Sequence, residues 1–158
     1  MELRKVTESD FEGIVRLVRT PEDLFYVYPK GIHPFSIRQL KHIAESRKEL
    51  TVAVKNNEVV GFANLYNVEL GKTAFIGNVV VSQDVRGQGY GRIIVRHMLL
   101  QAFEKYSVKE VRISVFSDNT HALLLYTNIG FMPYEVEERI KPSGARIGLI
   151  HMRIRHSE

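Results

Sequence analysis

Between Val79 and Tyr106 an apolar run, Val79-Val80-Val81, enters a glycine-rich turn and then a segment whose apolar residues recur at helical spacing. A strand, turn and helix in this order organise the rest of the chain as an α/β domain. Gly87, Gly89 and Gly91 alternate along the turn and relieve side-chain crowding, so consecutive backbone N–H groups can converge on one small volume. The first N–H groups of a helix have no intrahelical partner, and the aligned peptide dipoles add positive potential there. Together they suit a phosphate or pyrophosphate, with Arg86 and Arg92 flanking it. Taken alone, the turn also fits a tight connection with no ligand.

Better-known phosphate motifs do not match. The dinucleotide fingerprint G-x-G-x-x-G would need its third glycine at Arg92 or Ile94. Gly71-Lys72-Thr73 has the tail of a P-loop, but the opening glycine would fall at Tyr66. Arg86-Gly87-Gln88-Gly89-Tyr90-Gly91 instead resembles the Q/R-x-x-G-x-G/A signature of the GNAT family of N-acetyltransferases. Downstream, Asn119 to Phe131 matches that family's second pattern, N-x-x-A-x-x-L-Y-x-x-x-G-F, at Asn119, Ala122, Leu125, Tyr126, Gly130 and Phe131. Each of these residues also has a purely structural use, as cap, core residue or helix stop.

The resemblance implies one domain over residues 1–158, of α/β (α+β) class. Its mixed sheet of about six or seven strands, the fourth and fifth splayed apart, would be flanked by about four helices. It implies acetyl-CoA as acetyl donor and a primary amine, small-molecule or protein, as acceptor, with direct transfer in a ternary complex. The pantetheine arm would pair with the main chain at Val79 and Val81, as an added strand does. Its pyrophosphate would rest on the amides of Arg86, Gly87, Gln88, Gly89, Tyr90, Gly91 and Arg92. Asn119 would hydrogen-bond the arm, and Tyr126 would act as general acid toward the departing sulfur. An N–H at Val79 would polarise the thioester oxygen.

Relatives in the family use a glutamate on a splayed strand as base, where this chain carries Phe75, Asn78 and Ser114. Glu69 and His121 are the titratable alternatives. The missing glutamate also motivates a second reading, a non-catalytic acetyl-CoA-binding regulatory module, against which Tyr126 argues.

Composition narrows the chemistry. The absence of cysteine removes disulfides, thiolate metal sites and a cysteine nucleophile, and no metal is expected. A net charge of +4 is spread along the chain without a dense basic block, so no nucleic acid is expected. The start has no apolar signal region and no run approaches a membrane span, which together predict a cytoplasmic protein with no membrane partner; a monomer or homodimer is expected.

In chain order, the pattern predicts a strand at residues 2–7, a helix from Thr7 or Ser9 ending at Thr20-Pro21, and a loop or broken helix to Pro34. Phe25, Tyr26 and Tyr28 in that segment would pack or face substrate. Ser36 would cap a helix to Ser46. Strands follow at residues 50–55, 59–70 and 73–82, with Asn56-Asn57 as a hairpin turn and Gly77 as a bulge or close approach. A helix from Gly91 to Phe103, a strand at 110–116, a helix through Asn128 and a hairpin of 134–140 with 147–155 complete the reading.

Overall fold

The computed structural model describes residues 1–157. Seven strands form one sheet in the order β1-β2-β3-β4-β5-β7-β6. They are β1 Glu2–Lys5, β2 Lys48–Lys55, β3 Glu58–Glu69, β4 Thr73–Val81, β5 Glu110–Phe116, β6 Met132–Ile140 and β7 Arg146–Arg155. All neighbours are antiparallel except β4 and β5. The helices are α1 Phe11–Val15, α2 Pro21–Val27, α3 Ile37–Ser46, α4 Tyr90–Leu100 and α5 Thr120–Ile129.

Strand alternation sends the apolar side chains to two faces. Ile76, Val111, Ile113 and Met152 pack with α4 and α5 through Ile94, Val95, Met98 and Tyr126. Val52, Phe62 and Val80 pack with α1 and α3 through Ile14, Leu40 and Ile43. A third cluster sets Phe25 of α2 on Phe116, Ile147 and Leu149, with the Phe25 and Phe116 rings stacked 4.4 Å apart. The sheet therefore separates an α4/α5 side from an α1/α2/α3 side.

Local chemistry fixes the boundaries. Asn56 and Asn57 both take left-handed φ, +50° and +63°, the backbone of a two-residue hairpin turn. Ser36 caps α3 by accepting from the Gln39 N–H. The sheet ladder jumps from Phe62↔Val80 to Asn64↔Gly77, so β4 carries one extra residue, Asn78, at φ +51°. This is the bulge expected at Gly77. The close neighbours there are the Arg47 and Tyr66 side chains rather than another backbone.

One element left open by the sequence reading is decided, and two differ from it. Residues 21–27 form a helix, raising the helix number to five: Thr20 accepts from the Asp23 N–H at 3.0 Å and Pro21 sits in the first turn, so the pair that stops α1 also starts α2. Beyond Leu100, residues Gln101–Lys105 widen into a π-helical turn rather than continuing as α-helix. Met132 and Pro133, outside the strand expected at 134–140, open β6, where the missing Pro133 N–H is tolerated because β6 is the outer strand.

At the start of the chain, Arg4 grips Asp10 through two hydrogen bonds of 2.7 and 2.8 Å, and the Thr7 N–H donates to the same carboxylate. The Arg4 bond, more than the opposing desolvation, holds the Asp10 carboxyl down at about 2. A carboxyl depressed on folding stabilises above its unfolded pKa and loses that contribution as pH falls through the folded value. Asp10→Asn is therefore expected to cost about 1 kcal/mol at pH 7. The cost should shrink as pH is lowered from about 4 toward 2, read from urea midpoints across pH.

Candidate active site

The parallel β4/β5 ladder holds for only Thr73↔Glu110, Ala74↔Val111 and Phe75↔Arg112. Beyond Phe75 the strands part. The Ser82 N–H donates to Val60 on β3, so by strand alternation the main chain of Val79 and Val81 turns toward the gap. A cavity of about 880 Å³ fills the gap and continues over the glycine turn.

Every residue expected to bind the donor lines this cavity except Gln88, whose side chain turns outward to accept from Lys55 Nζ at 3.4 Å. The three glycines have two different causes. Gly87 and Gly89 take left-handed φ, +80° and +85°, with open space around them, so backbone conformation alone selects them. At Gly91 a Cβ would stand 3.0 Å from Leu125, so this glycine lets α4 and α5 approach. Gly89 is the N-cap of α4 and contributes no side chain, which leaves the first-turn amides open to the cavity.

Asn119 caps α5 by accepting from the Ala122 N–H at 3.4 Å, so its amide NH2 is the part free to reach the cavity. Tyr126 is buried, with its ring edge-on to Phe131 at 6.1 Å. Its hydroxyl has no hydrogen-bond partner among the described residues. Among those residues no enclosed side-chain polar atom lacks a partner, so this hydroxyl opens on the cavity. Burial pushes it well above the ordinary phenol value, which keeps its proton in place.

The α1/α2/α3 side of the gap carries a second set of polar groups. Ser114 on β5 and His151 on β7 are directly opposed in the ladder, with Oγ and Nδ1 2.7 Å apart. The His151 Nε2 lies 3.1 Å from Glu137 of β6. Arg139 first, then His151, holds the Glu137 carboxyl below its usual range, so it accepts. In the neutral ring Nε2 then carries the proton, which leaves Nδ1 to accept from the Ser114 hydroxyl. Both Ser114 and His151 line the cavity.

Of the bases suggested by sequence, His121 lines the cavity, whereas Glu69 pairs with Thr73 at the far end of β4. Phe25 packs in the core, and the Tyr26 hydroxyl donates to Asp118 at 2.8 Å, fastening α2 to the loop before α5. Tyr26 and Tyr28 both line the cavity. His151 and Glu137 were missed. One signal was available: Ile147, Leu149 and His151 alternate onto one face of β7, and a histidine interrupts an otherwise apolar series. Its partner Ser114 could not be assigned without the strand order.

A model of the acetyltransferase (GNAT) family matches residues 15–131 of the chain. The chain belongs to this family. Solved structures agree in fold. A ribosomal-protein-alanine N-acetyltransferase from Brucella melitensis is 17% identical, with a TM-score of 0.82 over 99% of this chain and 100% of that one. A spermidine N-acetyltransferase from Vibrio cholerae is 18% identical, with a TM-score of 0.78 over 98% and 95%. The yncA protein from Salmonella typhimurium, solved with its cofactor acetyl-CoA, is 15% identical, with a TM-score of 0.79 over 100% and 95%. The mixed sheet and the parted fourth and fifth strands are those of a GNAT fold. Among the described residues, no helix is long and apolar enough to cross a membrane, and no cluster of His, Asp or Glu could hold a metal.

Proposed function

We propose that this GNAT acetyltransferase moves an acetyl group from acetyl-CoA directly to an amine held on the α2 side of the gap. The observation carrying this reading is the gap itself: unpaired main chain at Val79 and Val81 runs straight into the open amides of the glycine turn. An extended, polar tether ending in a pyrophosphate fits that sequence of donors and acceptors.

In this reading the amides from Arg86 to Arg92 hold the pyrophosphate, the main chain of Val79 and Val81 and the Asn119 amide hold the arm, and the Val79 N–H polarises the acyl oxygen. Acetyl-CoA supplies an activated acyl group. Tyr126, on the α4/α5 side, keeps a proton for the leaving sulfur. Ser114 and His151, on the opposite side, receive the proton lost by the amine: Ser114 Oγ accepts it while passing its own to Nδ1, and Glu137 stabilises the resulting imidazolium. Acid and base thus reach the gap from opposite faces of the sheet. The acceptor is a primary amine, and the reaction is placed in the cytoplasm.

The test is acetyl-CoA binding by calorimetry together with free-thiol release across an amine panel. Binding with acceptor-dependent release supports the reading. Binding without such release for any amine would make the protein the regulatory module instead. A further expectation concerns the turn. Gly89→Ala adds about 1–2 kcal/mol of backbone strain at the pyrophosphate seat. Acetyl-CoA affinity should then fall about tenfold. Gly71→Ala, also left-handed at φ +75° but remote from the cavity, should leave that affinity unchanged.

A further inference from the structure

The α2 side of the cavity contains a guanidinium with no counter-charge among the described residues. Arg47 follows the last turn of α3, and its side chain turns inward instead of continuing to solvent. Its guanidinium carbon lies 3.9 Å from the centre of the Tyr66 ring, and its one hydrogen bond is a long one, 3.4 Å, to Asn64 Oδ1. Among the described residues, no carboxylate lies within 4.0 Å of it. The other charged groups on this side are engaged or outward. Arg139 is bound to Glu137, and Lys30 is exposed. Glu22 accepts from Tyr26, while Asp23 accepts from the Arg19 N–H and Gln83.

The room for Arg47 is built into the sheet. A Cβ at Gly77 would stand 2.4 Å from the Arg47 Nη1, so only glycine there admits the guanidinium. Beside it, the Asn78 bulge is fixed by bonds of 2.8 Å from Asn64 and to the Val27 carbonyl, which hold α2 over the same spot. A planar five-donor fork, stacked on an aromatic ring and mostly unsatisfied, is organised to receive an oxyanion. It is partly withdrawn from water, so an uncompensated charge there is costly until a partner arrives.

We infer that the acceptor amine carries an oxyanion, a carboxylate or phosphonate, which seats on Arg47. That the bound amine is the acetyl acceptor rests on the transferase reading. Gly77, the site of Arg47, and Val79, that of the acyl oxygen, are two residues apart across the Asn78 bulge, and so closer than the roughly 7 Å that two residues of regular strand would span. The acceptor is therefore a compact zwitterion such as an amino acid. Polyamines, whose charges are all positive, are excluded by the same guanidinium.

The experiment compares ω-amino acids from glycine to δ-aminovalerate, α-amino acids and aminoethylphosphonate with the matching amides and diamines. Calorimetric binding to the CoA-loaded protein and acceptor-dependent thiol release are both read. At least one acid should bind and react at least about tenfold better than its amide. Arg47→Met should weaken that acid about 100-fold and erase the preference. Arg47→Lys, which restores charge without the fork, should recover part of it. Acids that bind through Arg47 without thiol release would support the oxyanion seat and overturn the transferase reading. Thiol release with amides or diamines at equal or better efficiency would do the reverse. An acid preference unchanged in Arg47→Met, or no binding of any acid, overturns the inference.

Discussion

Tyr126→Phe is expected to lower kcat by about 100-fold, the usual contribution of a positioned general acid, while the KM for acetyl-CoA moves by no more than about twofold. The substitution removes one oxygen and keeps the ring that packs edge-on to Phe131. It breaks no hydrogen bond within the protein, so the unfolding midpoint should not fall. Because burial raises the phenol well above its ordinary value, Tyr126 stays protonated through the basic range in which enzymes are assayed. A kcat unchanged in Tyr126→Phe would remove the hydroxyl from the chemistry.

The second large effect is expected on the other face of the sheet. Ser114→Ala and His151→Gln should each lower kcat/KM about 100-fold at neutral pH. The groups around His151 are Ser114 on β5, Glu137 and the Tyr134 ring on β6, and Arg139 bound to Glu137, with Arg112 and Arg153 against Tyr134. A chain that works as one unit gives a double variant scarcely worse than either single one. Additive losses would separate the two residues. Initial-velocity lines should intersect, as direct transfer in a ternary complex requires; parallel lines would make Ser114 a nucleophile.

What the sequence disclosed follows from the range of its signals. The glycine turn and the Asn119 to Phe131 motif are local, and the residues they contain meet in space because strand, turn and helix are contiguous. Capping chemistry at Ser36 and Asn119 and the hairpin asparagines were legible for the same reason. Thr20-Pro21 was read only as a stop, although the same pair is a cap and first turn, and the segment after it was therefore left open between a loop and a broken helix. The base side was invisible because it depends on register across the sheet. Ser114 and His151 are 37 residues apart in the chain and become neighbours only when β7 inserts between β5 and β6. Arg47 has no motif at all, and its setting needs Gly77, Asn78 and Tyr66 from two other strands.

Only three opposed residue pairs hold β4 to β5, so the seven strands amount to a group of four and a group of three joined by a short seam. A molecule lying along the opening adds main-chain bonding where the protein has none of its own, and binding then braces the whole scaffold. Slowed amide exchange at Val79 and Val81, together with a raised melting temperature when the donor is present, is the signature of such a splint.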